Sequence, residues 1–335
     1  MDFLSQAGRE PALALVSALV LAVLLVNGWT DAPNAIAAAV GAGALSFRGG
    51  AALAAVCNLA GSCWGALCLP AVARTVGEAA ALTGAPGSAW AGLCAALAAT
   101  AAWGVLAWRF GIPTSESHAL LAALAGAALA RPGGWRNLTA GPWERVGLGL
   151  VLSLGLGCGL GWLFGRNLGR RNLARSLCRR GQILGAAGMA FLHGAQDGQK
   201  CLGLFLAGAA LAGGSRSGPD AAVPAWLAAV CGGTMALGTL LGGRRIVARI
   251  GEGLVPLSPA AGLAADLGGG AALLGCTLLG LPVSTTHAKT SAILGAGAAL
   301  GGRVDRACAG EIVLTWLCTF PACGALGYLL VRAFA

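Results

Sequence analysis

Pro282-Val283-Ser284-Thr285-Thr286-His287 decides how the chain folds, because Pro113-Thr114-Ser115-Glu116-Ser117-His118 is an earlier copy, 282 − 113 = 169 residues upstream. A second pair stands in the same order. Gly28-Trp29-Thr30-Asp31 returns as Gly194-Ala195-Gln196-Asp197, an offset of 194 − 28 = 166. Two motifs at nearly one offset divide the chain into homologous halves, 1–165 and 181–335, joined by an arginine-rich connector at 166–180. In each copy Pro113 or Pro282 removes a backbone donor and breaks or starts a helix, and the Ser and Thr residues that follow are good N-caps.

The surroundings of these motifs are apolar. Of 335 residues, 57% are hydrophobic and 10% charged, against about 45–50% and about 25% in soluble domains. So little charge cannot coat a water-facing surface, which excludes a soluble globular enzyme. Apolar segments fall at 11–45, 51–73, 88–108, 112–130, 146–165, 181–213, 223–243, 266–300 and 308–331. Many approach the ~20 residues that cross a ~30 Å hydrocarbon core. The first runs into Asn27-Gly28-Trp29 without a small-residue cleavage site, so it reads as a retained span. The expected fold is an all-α polytopic membrane protein of roughly ten to twelve helical elements in two inverted repeats, with broken helices meeting at the bilayer midplane.

The net charge of +10 comes from arginines in short connectors. Arg166, Arg170, Arg171, Arg175, Arg179 and Arg180 have no acid among them. Such clusters face the cytoplasm and anionic headgroups rather than nucleic acid. This places 166–180 and 244–249 inside the cell, the 214–222 connector outside, and the chain in the plasma membrane. The twelve cysteines form no CxxC pair and read as small buried hydrophobes. Gly157, Gly161 and Gly165 have the small-xxx-small spacing of close helix contacts.

Scarce residues locate the function. All three histidines (His118, His193, His287) and both lysines (Lys200, Lys289) lie in the four motifs or directly beside them, as do Asp31, Glu116 and Asp197. An ionisable group within a span costs at least ~2.5–3.5 kcal/mol, so such a concentration marks a site. Thr114, Ser115, Ser284, Thr285 and Thr286 stand at two helix N-termini, where free amides and the helix dipole hold an oxyanion. A carboxylate about 4 Å from that anion is opposed by roughly 4 kcal/mol. Asp31 and Asp197, expected beside interrupted backbone, therefore require sodium or a proton, with Thr30 and Asn34 as further sodium ligands. Lys200 takes the place of Asn34 in the second half, and Glu116 that of Thr285. Lys200 thus pairs with Asp197 or the anion, while Glu116 carries a proton or partners Lys200. The histidines serve the broken backbone, since HExxH and Cys/His zinc spacings are absent. Duplication of the Ser/His pairs argues against one nucleophile with one base. No catalytic residue, cofactor or metal beyond sodium is expected.

At these residues the chain resembles the inorganic phosphate transporter (PiT) family, which includes sulfate permeases and carries duplicated Gly-x-Asn-Asp-x-x-Asn-Ala and Pro-x-Ser-Thr-Thr-His motifs. Pro282–His287 matches the second motif in full. Thr30 and Gln196 replace the paired asparagines, and Glu116 and Ser117 interrupt the first Ser-Thr-Thr. The resemblance implies symport of phosphate, or sulfate as the alternative, with Na+ or H+ by a homodimer. It places Gln196 and Lys200 with the Ser/Thr residues at the substrate, and Gly28 and Gly194 in support. Protonated phosphate donates to carboxylates where sulfate only accepts, so Asp31, Asp197 and Glu116 favour phosphate. An anion channel is the more distant alternative.

Overall fold

A computed structural model describes residues 7–80, 85–171, 173–213 and 223–334. The first half contains α1 (Pro11–Thr30), α2 (Pro33–Gly41), α3 (Phe47–Cys68), α4 (Ala71–Ala79), α5 (Pro86–Phe110), α6 (Glu116–Ala130) and α7 (Ala140–Arg171). The second contains α8 (Arg175–Gly213), α9 (Ala225–Leu241), α10 (Arg244–Ala248), α11 (Pro259–Leu278), α12 (Thr285–Ala299) and α13 (Arg306–Phe334). The described residues hold no strand. The element order repeats: α1–α2 answers to α8, α3–α4 to α9–α10, α5 to α11, α6 to α12 and α7 to α13.

Among the described residues, six helices are long and apolar enough to cross a membrane, or seven if α9 and α10, bent by 69°, form one span. Pro11–Gly41 counts as one of the six despite its break. There, Asp31 and Ala32 both donate to the Asn27 carbonyl (2.8 and 3.2 Å), a local widening of the helix. Pro33 has no N–H, so the Trp29 carbonyl receives no i+4 donor.

Two expectations are corrected. Asp197 does not lie beside interrupted backbone, because α8 runs unbroken from Arg175 to Gly213. No proline interrupts it, and its polar side chains find partners on neighbouring helices. The 166–180 segment is not an open connector, since α7 continues to Arg171 and α8 begins at Arg175. Arginine is a good helix former, and Arg170 and Arg171 suit the negative end of α7. The 214–222 connector lies outside the described residues.

The two halves interlock through the short helices behind the serine motifs. Helix α6 packs on α13 and α12 packs on α7, each against the last helix of the other half. Small residues permit the approach. Cβ atoms added at Gly157 and Gly161 would stand 2.6 and 2.4 Å from the carbonyls of Ala288 and Ala292, and one at Gly126 only 1.9 Å from that of Gly324. Gly126→Ala is therefore expected to cost about 1–3 kcal/mol by overpacking, read as a lower Tm in detergent. An unchanged Tm would mean that this contact can relax.

Candidate functional site

Each serine motif starts a helix through its own side chain. Ser115 Oγ accepts from the His118 amide (3.2 Å) and Ser284 Oγ from the His287 amide (3.1 Å). The backbone is extended at both caps, and the helix turns begin at Glu116 and Thr285. Both serines thus engage backbone amides. The two imidazoles meet edge-on instead, centroids 4.1 Å apart, flanked by Phe320 and Trp316 of α13. Their ring nitrogens have no hydrogen-bond partner among the described residues. No Ser–His nucleophilic pair forms here.

The helix tips gather two clusters built from equivalent positions. In the first, Asp31 accepts from the Glu116 amide (3.1 Å) and from Thr286 Oγ1 (3.2 Å), while Asn34 Nδ2 donates to the same Thr286 hydroxyl (2.8 Å). In the second, Lys200 Nζ donates to Asp197, to Ser117 Oγ (2.6 Å) and to the Val283 carbonyl (2.6 Å). Asp31 answers to Asp197, Asn34 to Lys200, and Thr286 to Ser117. In each half an Asn or Lys thus reaches the other half's motif: Asn34 shares the Thr286 hydroxyl with Asp31, and Lys200 bridges Asp197 to Ser117. Asp197 also accepts from Asn27 Nδ2 (3.0 Å) and Thr285 Oγ1 (3.4 Å), and lies 3.3 Å from His193 Nε2.

These side chains are each at most 3% exposed. A cavity of about 10 Å³ separates Asn27, Glu116, Ser117, Asp197 and Lys200. That is room for roughly one water, so an oxyanion enters only if the elements part. Charge is unbalanced: three carboxyl groups (Asp31, Glu116, Asp197) face one ammonium, leaving 3 − 1 = 2 negative charges to be met when all are ionised. Burial makes each uncompensated charge costly. Glu116 accepts a long contact from Thr30 Oγ1 (3.5 Å) and lies beside the Asn27 side chain, and among the described residues it is not hydrogen-bonded to Lys200. The Asn34 Oδ1 atom is likewise buried without a partner.

Some expected residues lie elsewhere. Thr114 joins Trp103 Nε1 (2.9 Å) and Thr319 Oγ1 (3.1 Å), and Gln196 donates to Thr277 (2.9 Å) and the Leu281 carbonyl (3.2 Å). Gly28 and Gly194 are packing glycines: an added Cβ would lie 2.1 Å from the Met235 carbonyl or 2.2 Å from that of Asn58. Among the described residues no group of three or more His, Cys, Asp or Glu is placed to hold a metal ion.

The sequence reading missed Asn27, Ser117 as the Lys200 partner, and Asn58, whose Oδ1 lies 3.0 Å from His193 Nδ1. It also missed Asp266, paired with Lys289 in full burial. A lysine within a membrane-embedded segment demands an acid, and that was the available signal.

Comparison with known proteins gives the family and the fold. The model of the phosphate transporter family matches residues 27–175 and again 165–327. A probable low-affinity inorganic phosphate transporter of Bacillus subtilis is 34% identical over 323 residues, 93% of this chain and 94% of the relative. One of the same description from Mycobacterium tuberculosis (strain H37Rv) is 35% identical over 94% of this chain and 76% of its own length. A solved structure described as the sodium-dependent phosphate transporter superposes with a TM-score of 0.84 at 21% identity, covering 97% of this chain and 99% of its own.

Proposed function

The chain belongs to the phosphate transporter family, and from that premise we propose that it carries inorganic phosphate across the plasma membrane by cation-coupled symport. The observation that carries this is the Asp31 carboxylate seated on the α6 tip, bonded to the Glu116 amide. Asp31 occupies a position that suits an oxyanion, so an incoming phosphate competes with it. A cation that claims Asp31 frees the tip. Cation first, anion second is then the favoured order, and each stabilises the other.

The oxygens of Asp31, Thr286 and Asn34, the last with an unpartnered Oδ1, suit sodium. The description of the structural relative as sodium-dependent supports that choice. Glu116, without a bonded cation, suits a proton. Lys200 is a resident cation in the second cluster, so a mobile ion there is unnecessary. One sodium at Asp31 and one proton on Glu116 meet the two uncompensated charges. Phosphate is favoured over sulfate because its own proton can be donated to these carboxylates.

Alternating access follows if the two halves are inverted repeats that part on one face and close on the other. The arginines of 166–180 then mark the cytoplasmic side, and a homodimer is the expected assembly. Proteoliposomes loaded without phosphate, with sodium and proton gradients imposed separately, should take up labelled phosphate under either gradient and fastest under both. Current without a coupling gradient would point to a channel. Sulfate uptake exceeding that of phosphate would move the substrate to sulfate.

A further inference from the structure

An open cleft of about 410 Å³ lies away from the buried clusters, lined by Trp108 and Arg109 at the end of α5 and by Gly242, Gly243, Arg244 and Arg245 at the α9–α10 bend. Three guanidinium groups share this cleft. Among the described residues none is paired with a carboxylate, and Arg245 Nη1 donates across the cleft to the Arg109 carbonyl (3.2 Å). Like charges gathered without an acid repel one another unless an anion joins them. Guanidinium is also the side chain whose fork matches phosphate oxygens.

The cleft is tied to the segment that feeds the site. A Cβ at Gly243 would stand 2.0 Å from Pro33 Cγ and 3.2 Å from the Trp29 carbonyl, and one at Gly242 3.1 Å from Trp29 Cβ. Trp29 and Trp108 rings lie 5.3 Å apart. The glycine wall of the cleft therefore packs on the widened turn from Trp29 to Pro33, and the Asp31 of that turn enters the buried cluster.

The other half has the same corner without the charge. Gly111 and Gly280 both take a φ of +65° after their helices, and a Cβ there would meet Arg245 Cβ (3.3 Å) and Ala71 Cβ (2.9 Å) respectively. By this match Arg109 answers to Leu278, Arg245 to Ala71 and Arg244 to the preceding Pro70. Arginine is confined to one of two equivalent corners, the one whose 244–249 segment reads as cytoplasmic.

We infer that Arg109, Arg244 and Arg245 form a phosphate-group-binding vestibule on the face that carries the 244–249 arginines, the one read as cytoplasmic, which holds the anion beside the Asp31 turn as it passes between the buried site and that side. Onward passage rests on the proposed phosphate transport; binding does not. The volume is several times that of a bare phosphate ion, so it admits hydrated inorganic phosphate or the phosphate group of a lipid.

The test compares wild type with the triple variant Arg109→Gln/Arg244→Gln/Arg245→Gln, and with the triple Arg→Lys variant as a charge-retaining control for folding. Labelled phosphate is presented to the arginine-bearing face of vesicles sorted for orientation, made of phosphatidylcholine with and without phosphatidylglycerol, and its transport is measured at low and high salt. The Gln variant is expected to raise the KM for phosphate about tenfold at low salt with kcat unchanged, and to lose most of its salt dependence. The Lys variant should keep that dependence. An effect seen in phosphatidylcholine alone identifies free phosphate as the ligand. An effect confined to vesicles with phosphatidylglycerol identifies the lipid phosphate and removes the vestibule from the substrate path. Identical KM and salt response for Gln variant and wild type in both lipids would overturn the inference. Absence of phosphate uptake by the wild type would instead overturn the transport proposal, and direct phosphate or lipid binding to the two variants would still decide the cleft.

Discussion

Asp31→Asn should reduce phosphate uptake about a hundredfold or more while leaving the fold intact. The amide keeps the shape of the carboxylate: its oxygen can still accept from the Glu116 amide, and its NH2 can donate to the Thr286 hydroxyl oxygen in place of the bond Asp31 accepts from it. What disappears is the charge. A neutral side chain neither draws sodium into the oxygens around it nor yields the α6 tip when sodium arrives. Loss of a buried charge interaction of ~3 kcal/mol corresponds to roughly a hundredfold in rate or affinity. Uptake in proteoliposomes, with Tm as the control for folding, reads both parts. Wild-type uptake with unchanged sodium dependence would remove Asp31 from coupling.

The second large effect concerns Asp197 and Lys200. Removing one partner of a buried ion pair leaves a charge with no solvent, at a cost of about 3–5 kcal/mol. Asp197→Asn strands the Lys200 ammonium between Ser117 and the Val283 carbonyl. Lys200→Met strands the Asp197 carboxylate, though Asn27 and Thr285 still donate to it. Each single variant should lower Tm, and the double variant should recover most of the loss, a non-additivity that a double-mutant cycle isolates. Lys200→Asn carries the mechanistic test, because it gives the second half the residue type of Asn34. The number of cations carried per phosphate, read from reversal potentials, should rise by one. An unchanged ratio would make Lys200 a structural lysine, and additive Tm losses would dissolve the pair.

Much of the site was legible because charge is so scarce. In a chain with two lysines and three histidines, the duplicated motifs stand out against the hydrocarbon-facing residues, and a proline followed by Ser or Thr has few uses other than starting a helix. Both serine caps formed as expected. Sequence misled where it stood in for partners. The Gly194–Lys200 run is as polar as the Asp31 turn, yet it stays helical, because Asn27, Thr285 and Ser117 come to it from other helices. Only Pro33 makes the break at Asp31 local and necessary. Asp266 was passed over because it opens an apolar block with no motif around it, and its meaning lies wholly in Lys289. The placement of Thr114 beside Trp103 and Thr319 was likewise invisible, since both partners come from helices outside the motif.

The exchange of α6 and α12 between the halves bears on ancestry. A polypeptide comprising one half alone would present its serine-capped helix with no terminal helix to cover it, and would lack the foreign hydroxyl that its aspartate needs. Such a molecule is complete only beside another of its kind.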